Sequence, residues 1–279
     1  MPQLETTRGG YYLWQYVPSL PAAVIFIVLF ALGTAAHSWR IFKYRNRFCI
    51  AFLIGCIFEF IGYCARAACH NSTGKIMPFS IQNVFILLGP ALFAASIYMT
   101  LSRIIYSIRG EPLALVHPRW LTKIFVAGDI LSFIVQGSAA GLMVTGSHGQ
   151  MGEYIVIAGL LIQVVMFGLF GVTAMLFQMR LRQQPTTEST ASSEWKGHLR
   201  TLYIVSVLIM IRSIFRVVEY AMGQSGYLLQ HEWTMFVFDS LLMFGVVVVF
   251  YIWYPGSIVF TREASGDDYE ALQIQAERK

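Results

Sequence analysis

Seven stretches of this 279-residue chain are each long and apolar enough to cross a hydrocarbon core, and that feature removes most folds from consideration. A bilayer interior about 30 Å thick needs about 20 mainly apolar residues in helical form. The stretches are 18–36, 48–67, 80–101, 121–143, 154–177, 202–222 and 233–254. None alternates with a period of two along its length, which excludes a barrel. Backbone polar groups in lipid must then be satisfied within each segment, which leaves helices. The expected fold is all-α: a polytopic membrane protein built as a seven-transmembrane-helix bundle. Only 13% of the residues are charged, against about 25% in soluble chains, so little is available to make a wetted surface.

The net charge of +5 follows the topology and is not the footprint of a nucleic-acid partner. Arg40, Lys43, Arg45 and Arg47 lie between the first two stretches, and Arg103, Arg109, Arg119 and Lys123 flank the third-to-fourth loop. Arg180, Arg182, Lys196 and Arg200 flank the fifth-to-sixth, and the tail adds Arg262, Arg278 and Lys279. The opposite side holds Arg8 and Lys75. The positive-inside rule therefore predicts residues 1–17 outside, residues 18–254 as the membrane domain and residues 255–279 in the cytoplasm. The N-terminus lacks a basic region followed directly by a short apolar core, so the first stretch is expected to insert uncleaved. Cys49, Cys56, Cys64 and Cys69 cluster in or beside one helix, where their spacing forbids disulfide geometry, and they read as free thiols.

Enzyme chemistries fail for lack of parts. Gly74-Lys75 has neither the upstream glycine nor the following hydroxyl of a phosphate loop. The six histidines fall in loops or at the ends of the stretches, and His231-Glu232 is not followed by a second histidine, so no zinc set forms. No lysine lies deep in a stretch to make a Schiff base. The chain is thus expected to be no enzyme and to use no cofactor or metal. Asn71-Ser72-Thr73 fits the glycosylation pattern but lies close to the membrane end. Residues 185–194, PTTESTASSE, read as a disordered linker. Pro90 lies inside the third stretch, so a kink and freed carbonyls in need of partners are expected there.

Charges inside the stretches carry the functional signal. Glu59 and Arg66 share a face of the second, seven residues apart, with Tyr63 between them. Asp129 and Gln136 share a face of the fourth in the same way. Arg212, Arg216 and Glu219 form one stripe on the sixth, Asp239 lies about two turns into the seventh, and Gln82, Asn83 and Gln163 add uncharged polarity. Each ionised group costs roughly 2.5–3.5 kcal/mol near a helix centre. Four acids and three arginines left isolated would cost on the order of 20 kcal/mol, more than a typical folding stability. They must pair, face water or lose their charge. Their depths predict a polar, partly hydrated pocket among the second, third, sixth and seventh helices, open toward the outer leaflet. Asp129 and Gln136 would continue it inward.

The spaced residues resemble the fungal RTA-like family, the lipid-translocating exporters. The resemblance rests on Tyr16-Val17-Pro18-Ser19, on Glu59, Gly62, Tyr63 and Arg66, and on Gln82 followed by the run from Leu87 to Met99 and Arg103. Asp129, Ser132 and Gln136; Gly159, Leu160 and Gln163; Arg212, Arg216 and Glu219; and Glu232 with Asp239 complete it in order. Gly89 and Phe215 depart from the alanine and tyrosine expected there. The family is associated with export of sphingoid long-chain bases, resistance to sterol-like toxic compounds and, in one branch, porphyrin movement. The resemblance implies a seven-helix membrane protein that handles amphipathic small molecules.

Together these features predict an ATP-independent transporter or translocase of amphipathic lipids, with membrane lipids or lipid-like molecules as its partners. A cationic head would pair with Glu59, Glu219 or Asp239, while Arg66, Arg212 and Arg216 hold those acids in place. Tyr63, Gln82, Asp129 and Gln136 complete the candidate site. Proton coupling through Glu59 or Asp129 is a further expectation. A seven-helix receptor, a lipid sensor without net transport and a porphyrin transporter are the alternatives. The expected location is the plasma membrane, with vacuolar and endoplasmic reticulum membranes as alternatives.

Overall fold

The computed structural model describes residues 14, 16–44, 47–71, 73–144, 149–191, 194–223 and 226–254. Among these it contains seven long apolar helices and no strand. They are α1 (Leu20–Tyr44), α2 (Ile50–Cys69), α3 (Ile76–Ser107), α4 (Pro118–Val144), α5 (Gly149–Gln183), α6 (Glu194–Ala221) and α7 (Glu232–Ile252). Five of the helices, α1 and α3 to α6, are longer than the apolar stretches that foretold them, while α2 and α7 match theirs to within a residue or two in length. At 1.5 Å per residue the 35-residue α5 is about 52 Å long, so it passes well beyond the hydrocarbon and carries Arg180 and Arg182 outside it.

Local chemistry sets several boundaries. Pro118 opens α4 at a position where a missing N–H costs nothing. Gly223, at φ +67, turns the chain into the left-handed region that ends α6. Within residues 185–194 the expectation of disorder is corrected at Thr187–Ala191, where a short helix forms. Thr186 is the reason: its hydroxyl accepts the Ser189 N–H and donates to the Ile108 carbonyl at 2.8 Å, capping the helix and tying it to the end of α3. Ser72 and the tail from residue 255 lie outside the described residues, as do residues 192 and 193.

Consecutive helices pack side by side, α7 returns to α1, and α3 takes the central place against α2, α4, α5 and α6. It is also the most buried of the seven. The α2–α3 seam is tight because α2 turns small residues toward it. A Cβ on Gly55 would stand 2.7 Å from Phe93, and one on Gly62 would stand 2.6 Å from Ile86. Such close approach is how helices associate without a hydrophobic drive between them. Residues 55, 59, 62 and 66 recur on one helical face, so the same face that packs hardest also carries Glu59 and Arg66.

His37 corrects another expectation. Because α1 runs on to Tyr44, this histidine lies within the helix rather than at its end. Its Nε2 donates to the Val247 carbonyl at 3.1 Å, its ring lies 4.9 Å from that of Phe52, and Arg40 donates to the Tyr251 carbonyl. These contacts bind α1 to α7. The four cysteines are free thiols, three of them buried.

Candidate functional site

The six intramembrane charges Glu59, Arg66, Asp129, Arg212, Glu219 and Asp239 are at most 5% exposed, so none faces the surrounding lipid. The side chain of Arg216 is 15% exposed. They fall into three groups with different chemistry.

The first is a closed network between α6 and α7. Asp239 takes Arg212 on one carboxylate oxygen and Arg216 on the other. Arg216 also reaches Glu219, one turn further along α6, at 2.9 Å. Spacing of four and three residues puts these α6 side chains on one stripe, which is the geometry a single facing carboxylate needs. Asp239 faces them from a π-helical turn over Phe236–Leu241. Inserting one residue into a helical turn re-aims its side chains, and such turns recur at functional sites. Arg212 has a second duty. Pro90 has no N–H, so the carbonyl of Ile86 has lost its helical donor, and the Arg212 Nη2 supplies one at 2.9 Å. One guanidinium thereby repairs α3 and binds α7 to α6.

The second group is a latch at the end of the bundle opposite to Arg40 and Arg103. Arg66 pairs with Glu232 at 2.6 Å and donates to the Tyr16 hydroxyl at 3.2 Å. Its guanidinium lies over the rings of Trp14 and Phe236, 5.3 and 5.1 Å from their centroids. Both Glu232 oxygens accept the Ser19 N–H, at 2.9 and 3.0 Å. This N–H belongs to the start of α1 and has no partner within its own helix. His70 adds a bond to the Pro18 carbonyl at 2.6 Å. Glu59 and Arg66 therefore do not pair with each other. Seven residues of helix set them about 10 Å apart along the axis, and each meets other helices.

The third group consists of carboxylates that no arginine pairs with among the described residues. Glu59 is fully buried, and neither of its carboxylate oxygens has a hydrogen-bond partner among the described residues. It lies close enough to Asp239, Arg212 and Arg216 to feel their charge without touching them. Gly89 makes its seat: a Cβ there would stand 2.7 Å from the Glu59 Oε1 and 2.9 Å from its Cγ. That gives the glycine, where alanine was expected, a physical reason. Beside Glu59, Tyr63 donates its hydroxyl to Ser240, and its ring stacks on Phe30 and Phe26 at 5.5 and 5.4 Å. Phe236 stacks on Phe26 in turn, at 5.5 Å, to make an aromatic wall shared by α1, α2 and α7.

Asp129 lies elsewhere, where α4 meets α3. The Tyr98 hydroxyl donates to its Oδ2 at 3.1 Å, while its Oδ1 has no hydrogen-bond partner among the described residues. Gln136 faces α5, where a Cβ on Gly159 would come within 2.6 Å of its Cγ. No described hydrogen bond or ion pair links Asp129 or Gln136 to the α6–α7 network. Gln82 is buried on α3 and Asn83 is exposed. Phe215, where tyrosine was expected, stacks on Phe238 at 4.8 Å and 15°.

Tyr16, Glu232 and Ser240 were not among the candidate site residues. Glu232 and Asp239 lie seven apart, the spacing that singled out the pairs on α2 and α4, so that signal was present. The Ser240 contact had none, because it depends on the π-helical turn.

Comparison with known proteins follows the same outline. The family described as RTA1 like protein matches residues 52–262. Over 273 residues the chain is 33% identical to Protein RTA1 of Saccharomyces cerevisiae, covering 89% of this chain and 86% of that one. It is 32% identical to Protoporphyrin uptake protein 1 of the same yeast, covering 88% and 93%. It is 27% identical to its Sphingoid long-chain base transporter RSB1, covering 92% and 77%. No solved structure matches.

Proposed function

Because this chain belongs to the RTA1-like protein family, we propose that it moves an amphipathic molecule with a cationic amine head, of the long-chain base type, across its membrane without nucleotide energy. The observation that carries this reading is Glu59: a buried carboxylate with two unengaged oxygens, in a bundle whose other deep acids on α6 and α7 are already held by arginines. A carboxylate at this depth is costly without a partner. An ammonium head offers three donors to it. Glu219 and Asp239, equal candidates from the sequence, are the counter-ions of Arg216 and Arg212, which leaves Glu59 as the residue that takes the head. The rings of Phe26, Phe30 and Tyr63 make an apolar wall for the chain of the amphiphile.

The relative named as a sphingoid base transporter agrees with a cationic cargo, and the relative named as a protoporphyrin uptake protein offers the competing one. An anionic porphyrin would have to draw Arg212 or Arg216 away from Asp239, so the pairing favours the amine. Glu59 is fully buried, which fits an occluded state under this reading. Access from the outer leaflet requires the α2–α3 seam to part, and the plasma membrane is the proposed location.

The test is the purified full chain in liposomes free of nucleotide, with movement of a labelled long-chain base followed across the bilayer. The chain is expected to move the base, and Glu59→Gln is expected to abolish movement while melting at an unchanged temperature. Undiminished movement by Glu59→Gln would remove the residue from the mechanism. Binding without movement, together with ligand-dependent recruitment of a cytoplasmic protein, would favour a sensor.

A further inference from the structure

A second feature lies far from these charges. Between the ends of α5 and α6 that bear Arg180 and Arg200 is an open cavity of about 810 Å³. Arg182 of α5 and Lys196 and Arg200 of α6 line it, all three exposed, and no carboxylate is among its described lining residues. Lys196 and Arg200 stand four apart, so both point the same way. Trp195, Leu199 and Tyr203 repeat at the same interval and form the adjoining wall. Trp195 is fixed by a bond from its Nε1 to the Ser189 carbonyl at 3.1 Å, and Tyr203 by one from its hydroxyl to the Ala174 carbonyl at 3.1 Å. The cavity therefore joins three exposed cations to an aromatic and apolar wall whose Trp195 and Tyr203 are anchored.

The geometry points to a binding site for the phosphate-bearing head group of an anionic membrane lipid. By the positive-inside rule this end of the bundle faces the cytoplasm, whose leaflet carries the anionic lipids. Arginine forks and a lysine suit phosphate oxygens. Tryptophan and tyrosine suit the level at which glycerol meets acyl chain. Size argues against a free ion as occupant. Phosphate is equivalent to a few waters of about 30 Å³ each and would leave most of the volume empty. A head group with its glycerol and the first part of its chains fills it. This site is separate from Glu59 and does not depend on what the protein transports.

The test uses the full chain in a neutral detergent and measures binding of dioctanoyl phosphatidic acid, with dioctanoyl phosphatidylcholine and inorganic phosphate as the other arms. The phosphatidic acid is expected to bind and to raise the melting temperature, while the other two do neither. Arg182→Gln and Arg200→Gln should each weaken it by about fivefold, the worth of one surface cation against an anionic lipid. Arg200→Lys, which keeps the charge, should retain most of the binding. Arg119→Gln, an exposed change at the same end but outside the cavity, should leave binding unaltered. Glu59→Gln should also leave it unaltered, so failure here and failure of the transport reading are told apart. Equal binding of inorganic phosphate would overturn the lipid assignment, equal loss in Arg119→Gln would reduce the effect to general surface charge, and absence of binding in all arms would end the proposal.

Discussion

Asp239 on α7 has an arginine on each carboxylate oxygen, whereas Glu59, on the facing side of α2, has neither an ion pair nor a hydrogen-bond donor on either among the described residues. Both are buried and both feel the charge of the same two guanidinium groups. The difference comes from backbone. Asp239 is turned toward α6 by a π-helical turn, and Arg212 is held off α2 because it also serves the Ile86 carbonyl that Pro90 freed. A charge that is fully paired acts as a bolt between helices, and one left over in the same interior is free to meet a ligand. Residue type alone does not separate the two roles.

The comparison breaks most visibly at Asp239. Asp239→Asn leaves Arg212 without a carboxylate and Arg216 with Glu219 alone at membrane depth, and removing one partner of a buried pair costs roughly 3–5 kcal/mol. Loss of the monodisperse peak on size exclusion is the expected result. A protein that stayed folded would mean that the network is no bolt. Next in size comes the latch. Glu232→Gln removes the charge beside Arg66 but keeps one acceptor for the Ser19 N–H, and Glu232 is partly exposed. A loss of about 1–2 kcal/mol is expected, read as a lower melting temperature with the helical signal intact.

Much of this was legible from sequence, for reasons that differ by residue. The seven helices, and the absence of strands among the described residues, follow from apolar runs too long to be anything else. The stripe of Arg212, Arg216 and Glu219 follows from helical period. Pro90 announced a carbonyl in need of a donor, though not which donor would come. Pairing between helices was not legible, because depth alone cannot say whether Arg66 meets Glu59 or Glu232. The single continuous chamber that was expected gives way to two separate seams, since α3 stands between the Glu59 side and the face where Tyr98 holds Asp129. Glu59 was read as an acid that takes a cationic head while arginines hold it in place, and among the described residues no arginine meets it, because Arg212 and Arg216 turn to Asp239.

Gly89 sharpens the contrast further, because it tests whether Glu59 needs its room. Gly89→Ala puts a methyl 2.7 Å from the Glu59 Oε1, and overpacking of this kind costs about 1–3 kcal/mol. In a Glu59→Ala background the space is vacant and the same change should cost almost nothing. A coupling of at least about 1 kcal/mol in that cycle would confirm that the two residues share one seat, and strict additivity would deny it.

The smallest effect belongs to Asp129, and it decides whether a lone carboxylate is enough to mark a functional residue. Asp129 resembles Glu59 in lacking a cation but differs in being held by a hydroxyl, from Tyr98. Asparagine keeps an acceptor for that hydroxyl and removes the charge, so Asp129→Asn should change stability by less than about 1 kcal/mol. If want of a cation is what makes an acid functional, Asp129→Asn should lose transport as Glu59→Gln does. If an acid must also have both oxygens open to a ligand, it should transport normally. The Tyr98 bond and the aromatic packing of that tyrosine against Phe125 and Phe170 favour the second outcome, because they leave Asp129 one open oxygen in a place where no ion pair forms among the described residues. Normal transport by Asp129→Asn alongside a dead Glu59→Gln would confine the cargo site to the α2 side of α3.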